Sequence, residues 1–402
     1  HEHGSQTSAS IKSEEITEMA NKDLSVVLEQ LTGVSSLKSG AGVSKPVIHG
    51  LSGNRITILN NGIAQSGQQW GNDHAPEIDP YVADHLSVVK GAGALAYMGS
   101  SLGGVVLVEP VDIGNDPHLH GEVNYIFQSN GLGNTLNAKM EKRGKWAAWR
   151  LSGTAKVIGD RSALDYFLTN TGKREYNGAL QVEKSFSKRW KMKLYYSQFY
   201  TEIGVLRGSH VGNITDLEEA IGRSEPFYTE DRFSYSISAP KQEVQHHLLK
   251  LESHQIFNEH QSLSIRYGGQ LNDRKEFDIR RAERTDIPAL SLLQWGQFGE
   301  VVYSHFFNHE TQLKTGVQFK FVDNTNNPET GILPLIPDYR SYATAAFAIY
   351  QKELKKLLLE FGGRYDYNYL QAITISTTLP REIERFNHNF HNYSVAAGLQ
   401  YK

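Results

Sequence analysis

The chain has 402 residues, of which 39% are hydrophobic, and its mean hydropathy of −0.45 is that of a polar protein. No apolar run reaches the ~18 residues that a membrane-spanning helix needs, so the sequence excludes such a helix. The net charge of −3 gives no electrostatic footprint for nucleic acid, which we therefore exclude as a partner. The absence of cysteine fits an oxidising envelope compartment, where proteins avoid stray thiols.

The first 115 residues contain short elements of mixed type. Residues 23–31 space their leucines and valines along one face of a helix, and Gly33 follows as a stop signal. Three short strands are predicted, over residues 55–59, 86–90 and 104–108. The pattern predicts a small α+β domain over residues 1–115.

From residue 116 onward, apolar and polar side chains alternate along repeated segments. In the clearest segment, residues 357–369, Phe361 and Tyr365 lie on one face of a predicted strand. Arg364 and Asp366 lie on the other face. A period of two gives each strand one wet face and one apolar face. We count about 12 such strands, several of roughly ten residues or more, which is the length that crosses a bilayer at a tilt.

Strand length and loop asymmetry favour a membrane barrel over a soluble sandwich or propeller, whose strands usually have about 5–6 residues. Long polar interruptions at 204–240 and 280–290 contrast with short joints such as 187–189. We therefore predict that residues 116–402 are the N-terminal portion of a large antiparallel transmembrane β-barrel. Large plugged transporters have about 22 strands. We accordingly expect this barrel to be truncated, with two unpaired edges that further strands must close.

Three motifs in the first domain occur in a fixed order. They are LSVVLEQLTG (24–33), VIHGLSGNRITILNNG (47–62) and LSVVKGAGALAYMGSSLGGVVLV (86–108). Together they resemble the plug domain of TonB-dependent receptors, and LEFGGRYDYNY (359–369) resembles a barrel strand of the same family. The resemblance implies that the small domain is a plug in the lumen of the barrel.

The family resemblance also implies a function. The chain would be a receptor of the Gram-negative outer membrane that takes up a scarce nutrient. Its partners would be the inner-membrane TonB complex, outer-membrane lipid, and a small-molecule or metal substrate. No cofactor would be bound permanently, although zinc, iron or a metal chelate could be the transported substrate.

The sequence departs from the family pattern at three plug positions. His49 stands where the family usually has Arg, Asn61 where it has Asp, and Met98 where it has Gly. In the family, plug charges meet carboxylates of the barrel. The resemblance therefore implies that the interlock here depends on Arg55 and Lys90.

The segment 67–80, GQQWGNDHAPEIDP, lies between two plug strands, where the family has apical loops that face the substrate. We expect five of its residues to contact substrate: Gln69, Trp70, Asp73, His74 and Glu77. The alternative is structural, with an aspartate capping a turn and a histidine satisfied at the surface.

Imidazole and carboxylate groups suit zinc and other borderline divalent metals. We therefore expect Asp73 and His74 to contact a metal or a metal-bound substrate. Two further candidates, His246 and His254, share the face of a predicted strand that carries Lys250, and this face would line the lumen.

The most favoured cargo is a metal ion or metal complex, and the alternatives are a siderophore, haem or cobalamin. A non-transporting adhesin barrel is a further alternative, although it would need no plug. We expect no enzyme activity. The stretch GAGALA (91–96) matches a dinucleotide fingerprint, but the glycines that follow it would break the required helix.

Overall fold

A computed structural model describes residues 9–40, 42–67, 74–98, 102–209, 213–230, 232–280 and 284–401. These residues form a small N-terminal domain and a large antiparallel sheet. Among them, no helix is both long enough and apolar enough to cross a bilayer.

The N-terminal domain contains two short helices, seven strands and three 3₁₀ turns among the described residues. The helices are α1 (Ser13–Glu18) and α2 (Leu24–Leu28). The strands are β1 (Ala9–Lys12), β2 (Val34–Gly40), β3 (Val43–Ile48), β4 (Thr57–Asn60), β5 (Ile63–Ala64), β6 (His85–Val89) and β7 (Val105–Glu109). The 3₁₀ turns are Gly53–Arg55, Pro80–Val82 and Gly91–Ala96.

Five of these strands form one sheet, in the order β1-β6-β7-β4-β5, and β2 pairs with β3 in a separate hairpin. The helix expected over 23–31 is shorter, because α2 ends at Leu28 and the chain then turns into β2. Gly33 has φ +80°, a conformation that glycine adopts without steric cost. The three expected strands are all present, with ends shifted by one or two residues.

The large sheet contains twelve strands within the described residues, in agreement with the number expected. They are β8 (His120–Gln128), β9 (Gly133–Arg143), β10 (Ala148–Ile158), β13 (Lys173–Ser187), β14 (Trp190–Gly204), β15 (Lys241–Asn258), β16 (Gln261–Phe277), β17 (Leu290–Asn308), β18 (Thr311–Asn326), β19 (Asp338–Leu354), β20 (Leu357–Ile375) and β21 (Ile383–Tyr401). Each strand pairs antiparallel with its neighbours in chain order. In the described part of the chain, β8 and β21 are the two ends of this order.

The connections between these strands differ in length at the two edges of the sheet. At one edge, short turns join strand pairs, such as Ser187 to Trp190 and Leu354 to Leu357. At the other edge lie the long connections, which contain the two-stranded β11 (Arg161–Ser162) and β12 (Phe167–Leu168) and the helix α3 (Ile214–Gly222). They also contain the 3₁₀ turns Arg207–Ser209 and Pro328–Thr330. We call these two edges the short-turn edge and the long-loop edge.

The two faces of the large sheet differ as the alternation predicted. On β20, Phe361 is 53% exposed, whereas Glu360 and Arg364 are 0% and 7% exposed. The Arg364 guanidinium donates to the carbonyl oxygen of Leu95 in the small domain at 3.0 Å. The polar face is therefore the inner one.

The small domain packs against the inner face of the large sheet. Its main hydrophobic core includes inward side chains from several strands, among them Ala179, Tyr195, Leu248, Phe298 and Ala343. The expected fold class, a small α+β domain inside a large antiparallel barrel sheet, is confirmed. The predicted boundary at residue 115 falls in the connection between β7 and β8.

Candidate functional site

Asp84 anchors the N-terminal domain to the first strands of the large sheet. Its carboxylate oxygens lie 3.1 Å from Lys139 Nζ on β9 and 2.8 Å from Arg150 Nη1 on β10. These side chains are 11%, 12% and 7% exposed, so the charges are largely removed from water and depend on one another. Glu141 lies 2.6 Å from Arg150 Nη2 and gives that guanidinium a second carboxylate. We call Asp84 with Lys139 and Arg150 the Asp84 clasp.

A second group of charges joins the start of α2 to the long-loop ends of β10 and β13. The carboxylate of Asp23, at the N-cap of α2, contacts the ammonium group of Lys173. Lys173 Nζ also lies 2.7 Å from Glu175 Oε2, and Lys156 Nζ lies 3.3 Å from Glu175 Oε1. Carboxylate and ammonium groups thus alternate along this group, so each of these almost fully buried charges has a partner of opposite sign.

Arg55 and Lys90, which the resemblance implied for the interlock, lie in other surroundings. Arg55 is exposed, and Lys90 Nζ contacts the ring of His49 within the same domain. The interlock through Arg55 and Lys90 therefore stays a prediction, and the Asp84 clasp is a described contact in which a carboxylate of the small domain meets bases of the sheet. Asn61, at a position where the family usually has Asp, accepts a hydrogen bond from Lys250 at 2.8 Å.

The segment 74–80 lies near the long-loop edge, next to the ends of β15 and β16. His74 Nε2 lies 2.7 Å from Glu276 Oε1. The buried carboxylate of Glu77 contacts Arg274 and accepts from Asn272 Nδ2 at 3.0 Å. The other expected contact residues, Gln69, Trp70 and Asp73, lie outside the described residues.

His246 belongs to the same cluster, through Asn272. Its Nδ1 lies 3.2 Å from Asn272 Nδ2, and its side chain is 1% exposed. We call His74, Glu77, His246, Asn272, Arg274 and Glu276 the apical cluster. The structure thus brings together three residues that the sequence selected, namely His74, Glu77 and His246.

His254 does not join the apical cluster. Eight residues separate it from His246 along β15, which at the rise of a strand is about 26 Å. His254 lines a different cavity, of about 530 Å³, at the short-turn edge, and its Nδ1 lies 2.8 Å from Ser264 Oγ. In the part of the chain that the structure describes, no three His, Asp or Glu side chains are grouped as metal ligands. The metal site therefore stays a prediction.

Burial is the main influence on the pKa values of two carboxyl groups in this segment, those of Glu77 and Asp79. It raises the pKa of Glu77, and the guanidinium of Arg274 opposes that rise by favouring the carboxylate. Burial likewise raises the pKa of Asp79, whose carboxylate accepts from the backbone N–H of Tyr81 at 3.0 Å. The segment is therefore held by buried polar groups, most of which the sequence did not reveal.

A vestibule of about 690 Å³ lies above the apical cluster at the long-loop edge. The end of the β2–β3 hairpin forms one side of it, and the long connections form the others. Its apolar lining includes Val43, Leu168, Val205, Leu206, Pro240, Phe277, Leu290, Ile332 and Leu333. Its polar lining includes Lys241, Gln242, Glu276 and Asp278.

The vestibule has the volume and character of a small-molecule site. Such sites typically enclose about 300–1,000 Å³, with apolar walls and a few polar groups that orient the ligand. Glu276 belongs both to this lining and to the apical cluster. A ligand in the vestibule could therefore act on His74 through one shared carboxylate.

The chain resembles known proteins in sequence over its first domain and in fold over almost its whole length. Residues 2–105 match the family model of the TonB-dependent receptor plug domain. The ferric citrate transporter FecA is 16% identical with a TM-score of 0.70, and the alignment covers 98% of this chain and 60% of that one. The ferric-catecholate import receptor Fiu from E. coli K12 is 14% identical with a TM-score of 0.70, and the alignment covers 98% of this chain and 67% of that one.

A third solved structure with this fold is the copper transporter OprC, at 15% identity and a TM-score of 0.68. The alignment covers 96% of this chain and 61% of that one, so this chain spans about three fifths of the copper transporter and of FecA. All three carry the names of transporters or import receptors. Residues 2–105 therefore match the plug domain of TonB-dependent receptors, and the chain as a whole shares the fold of these solved structures.

Proposed function

We propose that this chain belongs to an outer-membrane receptor that takes up a scarce nutrient by energy-coupled transport. The plug fills the inner face of the barrel sheet and is held there by buried ion pairs such as the Asp84 clasp. Diffusion through such a barrel is blocked, so the plug must be remodelled for a substrate to pass. The inner-membrane TonB complex is the proposed source of that work.

The proposed substrate is a metal held by an organic chelator, bound first in the vestibule. A volume of about 690 Å³ suits a whole chelate, and the apolar walls suit its organic part. The polar groups of the lining, such as Lys241 and Glu276, would orient it. The names of the solved relatives, which include ferric citrate and ferric-catecholate transporters, point to the same class of cargo.

The observation that carries the proposal is the position of Glu276. This residue lines the vestibule, and its Oε1 lies 2.7 Å from His74 Nε2 in the plug. A bound substrate that draws Glu276 toward itself would weaken this contact. The plug loop would then be released at the moment when cargo is present.

The test is a binding and uptake assay on the full-length receptor. Purified receptor is titrated with ferric citrate, a ferric catecholate, haem, copper(II) and zinc(II), and energy-dependent uptake of any binder is followed in cells. Leu290→Asp places a charge in the apolar wall and should weaken binding of the preferred chelate at least tenfold. Glu276→Gln should leave binding within a few-fold and reduce uptake.

The matched control is Ile287→Asp, which alters the loop next to β17 outside the vestibule lining and should leave both readouts unchanged. Heat-modifiable migration of each variant shows that its barrel is folded. If no probe binds, or if Leu290→Asp binds as the parent does, the vestibule is not the substrate site. Uptake that persists without the proton gradient would contradict energy coupling.

A further inference from the structure

Three of the chain's five tryptophans lie together on the outer face of the large sheet, at the short-turn edge. Trp149 pairs with Val182 across β10 and β13, and Trp190 begins β14. Trp146 lies in the turn before β10 and is 84% exposed. Phe186 stacks on Trp190 with ring centroids 4.4 Å apart. These four aromatic residues lie on neighbouring strands and turns on the outward side of this edge, and we call them the aromatic cluster.

Five basic residues lie on the same strands and turns as the aromatic cluster. Lys142 pairs with Trp149 across the strands, and Lys184 lies on the same outward face of β13 as Phe186. Lys184 Nζ lies 5.2 Å from the ring of Trp146 and 5.0 Å from the ring of Phe186, so it lies between two aromatic faces. The other three bases lie in the two short turns: Lys145, Lys188 and Arg189. We call these nine residues the basic–aromatic patch.

The bases of the patch differ from the inward bases on the same strands. Inward residues have carboxylate partners, as when Lys191 Nζ lies 3.0 Å from Glu183 Oε2, and Arg150 is held by Asp84. Among the described residues, no base of the patch has an ion pair with a carboxylate of the chain. The patch thus presents five positive charges, and its own fold supplies no counter-charge.

The apolar residues next to the patch indicate its position along the membrane normal. Leu151, Leu180 and Leu194 lie on the outward face of the same strands, further from the short turns. Leu180 precedes Lys184 by four residues, which is roughly 10 Å along the membrane normal for a tilted strand. If the leucines meet acyl chains, the bases lie at the level of the headgroups.

The other short turns do not repeat this combination. The β15–β16 and β17–β18 turns each carry a glutamate, Glu259 and Glu310, next to a histidine. The β19–β20 turn carries Lys355 and Lys356, and neither takes part in a cation–π contact within the described residues. The patch is therefore a local feature of one sector of the sheet, and a uniform interfacial belt does not account for it.

We propose that the basic–aromatic patch binds the phosphodiester headgroup of an anionic phospholipid in the leaflet at the short-turn edge. Lysine and arginine supply the charge, because an anionic headgroup offers phosphate oxygens as acceptors and carries a net negative charge. The indole rings hold the glycerol region, since tryptophan prefers the boundary between apolar chains and water. The inference rests on the proposed placement of the sheet in a membrane.

The test compares lipid binding to the full-length receptor by native mass spectrometry after delipidation in detergent. The probes are phosphatidylglycerol and cardiolipin, with phosphatidylcholine as the zwitterionic lipid and inorganic phosphate as the free anion. We expect the two anionic lipids to bind at least tenfold more tightly than phosphatidylcholine. The double variant K184Q/K188Q should lose at least tenfold in affinity for them, whereas the matched variant K355Q/K356Q should bind as the parent does.

Equal binding of anionic and zwitterionic lipids, or equal losses in the two double variants, would overturn the proposal. Binding of inorganic phosphate as tight as that of phosphatidylglycerol would also overturn it, because the patch would then recognise a free anion. Reconstitution into vesicles, followed by the heat-modifiable band, reports membrane insertion separately. If the proposed placement of the sheet in a membrane is wrong, the receptor does not insert into the vesicles. If only the proposed lipid site is wrong, insertion and uptake are intact.

Discussion

Replacing Asp84 with asparagine should loosen the plug from the first strands of the barrel sheet. The carboxylate lies 3.1 Å from Lys139 Nζ and 2.8 Å from Arg150 Nη1, in a site where all three side chains are at most 12% exposed. Removing one partner from a buried ion pair costs about 3–5 kcal/mol, because it leaves an uncompensated charge. Asparagine keeps an oxygen that can accept from Val111 N–H, and Arg150 keeps Glu141. We therefore expect a cost near the lower limit, about 3 kcal/mol.

Such a cost corresponds to roughly a 150-fold increase in the equilibrium constant for opening of the plug, at about 1.4 kcal/mol per tenfold. Hydrogen–deuterium exchange of the full-length receptor measures this opening directly, through amides of β6 and β7, which follow Asp84 and belong to the five-stranded sheet. In Asp84→Asn, the amides of β6 and β7 should exchange up to roughly 150-fold faster than in the parent.

The matched control is Asp165→Asn, which makes the same chemical change at an exposed position in a long connection. Its exchange in β6 and β7 should equal that of the parent. If exchange in Asp84→Asn accelerates less than about threefold, the clasp does not hold the plug. The reasoning from buried charge compensation would then be refuted, since a screened surface pair contributes only ~0–1 kcal/mol.

Two further outcomes are expected. Burial raises the folded-state pKa of Asp79, so ionisation of this carboxyl lowers the stability of the plug as pH rises above the unfolded-state pKa of ~3.9. Asp79→Asn should therefore stabilise the plug more at pH 8 than at pH 4, as measured by urea unfolding. A stability difference that does not change with pH would contradict this. Phe361 is 53% exposed on the outer face, so a cysteine in its place should react with a lipid-phase label. A cysteine in place of Arg364, which is 7% exposed, should not react. The reverse labelling pattern would refute the orientation of β20.

The sequence by itself determined the strands and their faces. Alternation is a local property, since successive side chains of a strand point to opposite faces whatever the partner strand is. For this reason Phe361 and Arg364 could be assigned to opposite faces before any pairing was known. The ordered plug motifs likewise indicated the small α+β domain, and the spacing of long and short connections indicated the two edges of the sheet.

Only the tertiary structure decided which polar groups meet. Asp84 reaches Lys139 and Arg150 because the small domain packs against β9 and β10, whose pairing puts both bases on one face. These contacts join residues more than fifty positions apart, and no local pattern records them. The sequence could name Arg55 and Lys90 for the interlock only through the family resemblance. A one-residue change of register would turn every inward charge outward, so the partners of buried charges follow from the register of the whole sheet.

The candidate site divides in the same way. His74 and Glu77 stand out in the sequence because histidine and carboxylates are concentrated between two plug strands. Their partners, Arg274 and Glu276, lie near the end of one long strand and have no distinguishing motif. The vestibule is likewise a property of the fold, because its walls come from segments that are distant in the chain and meet only in the folded protein.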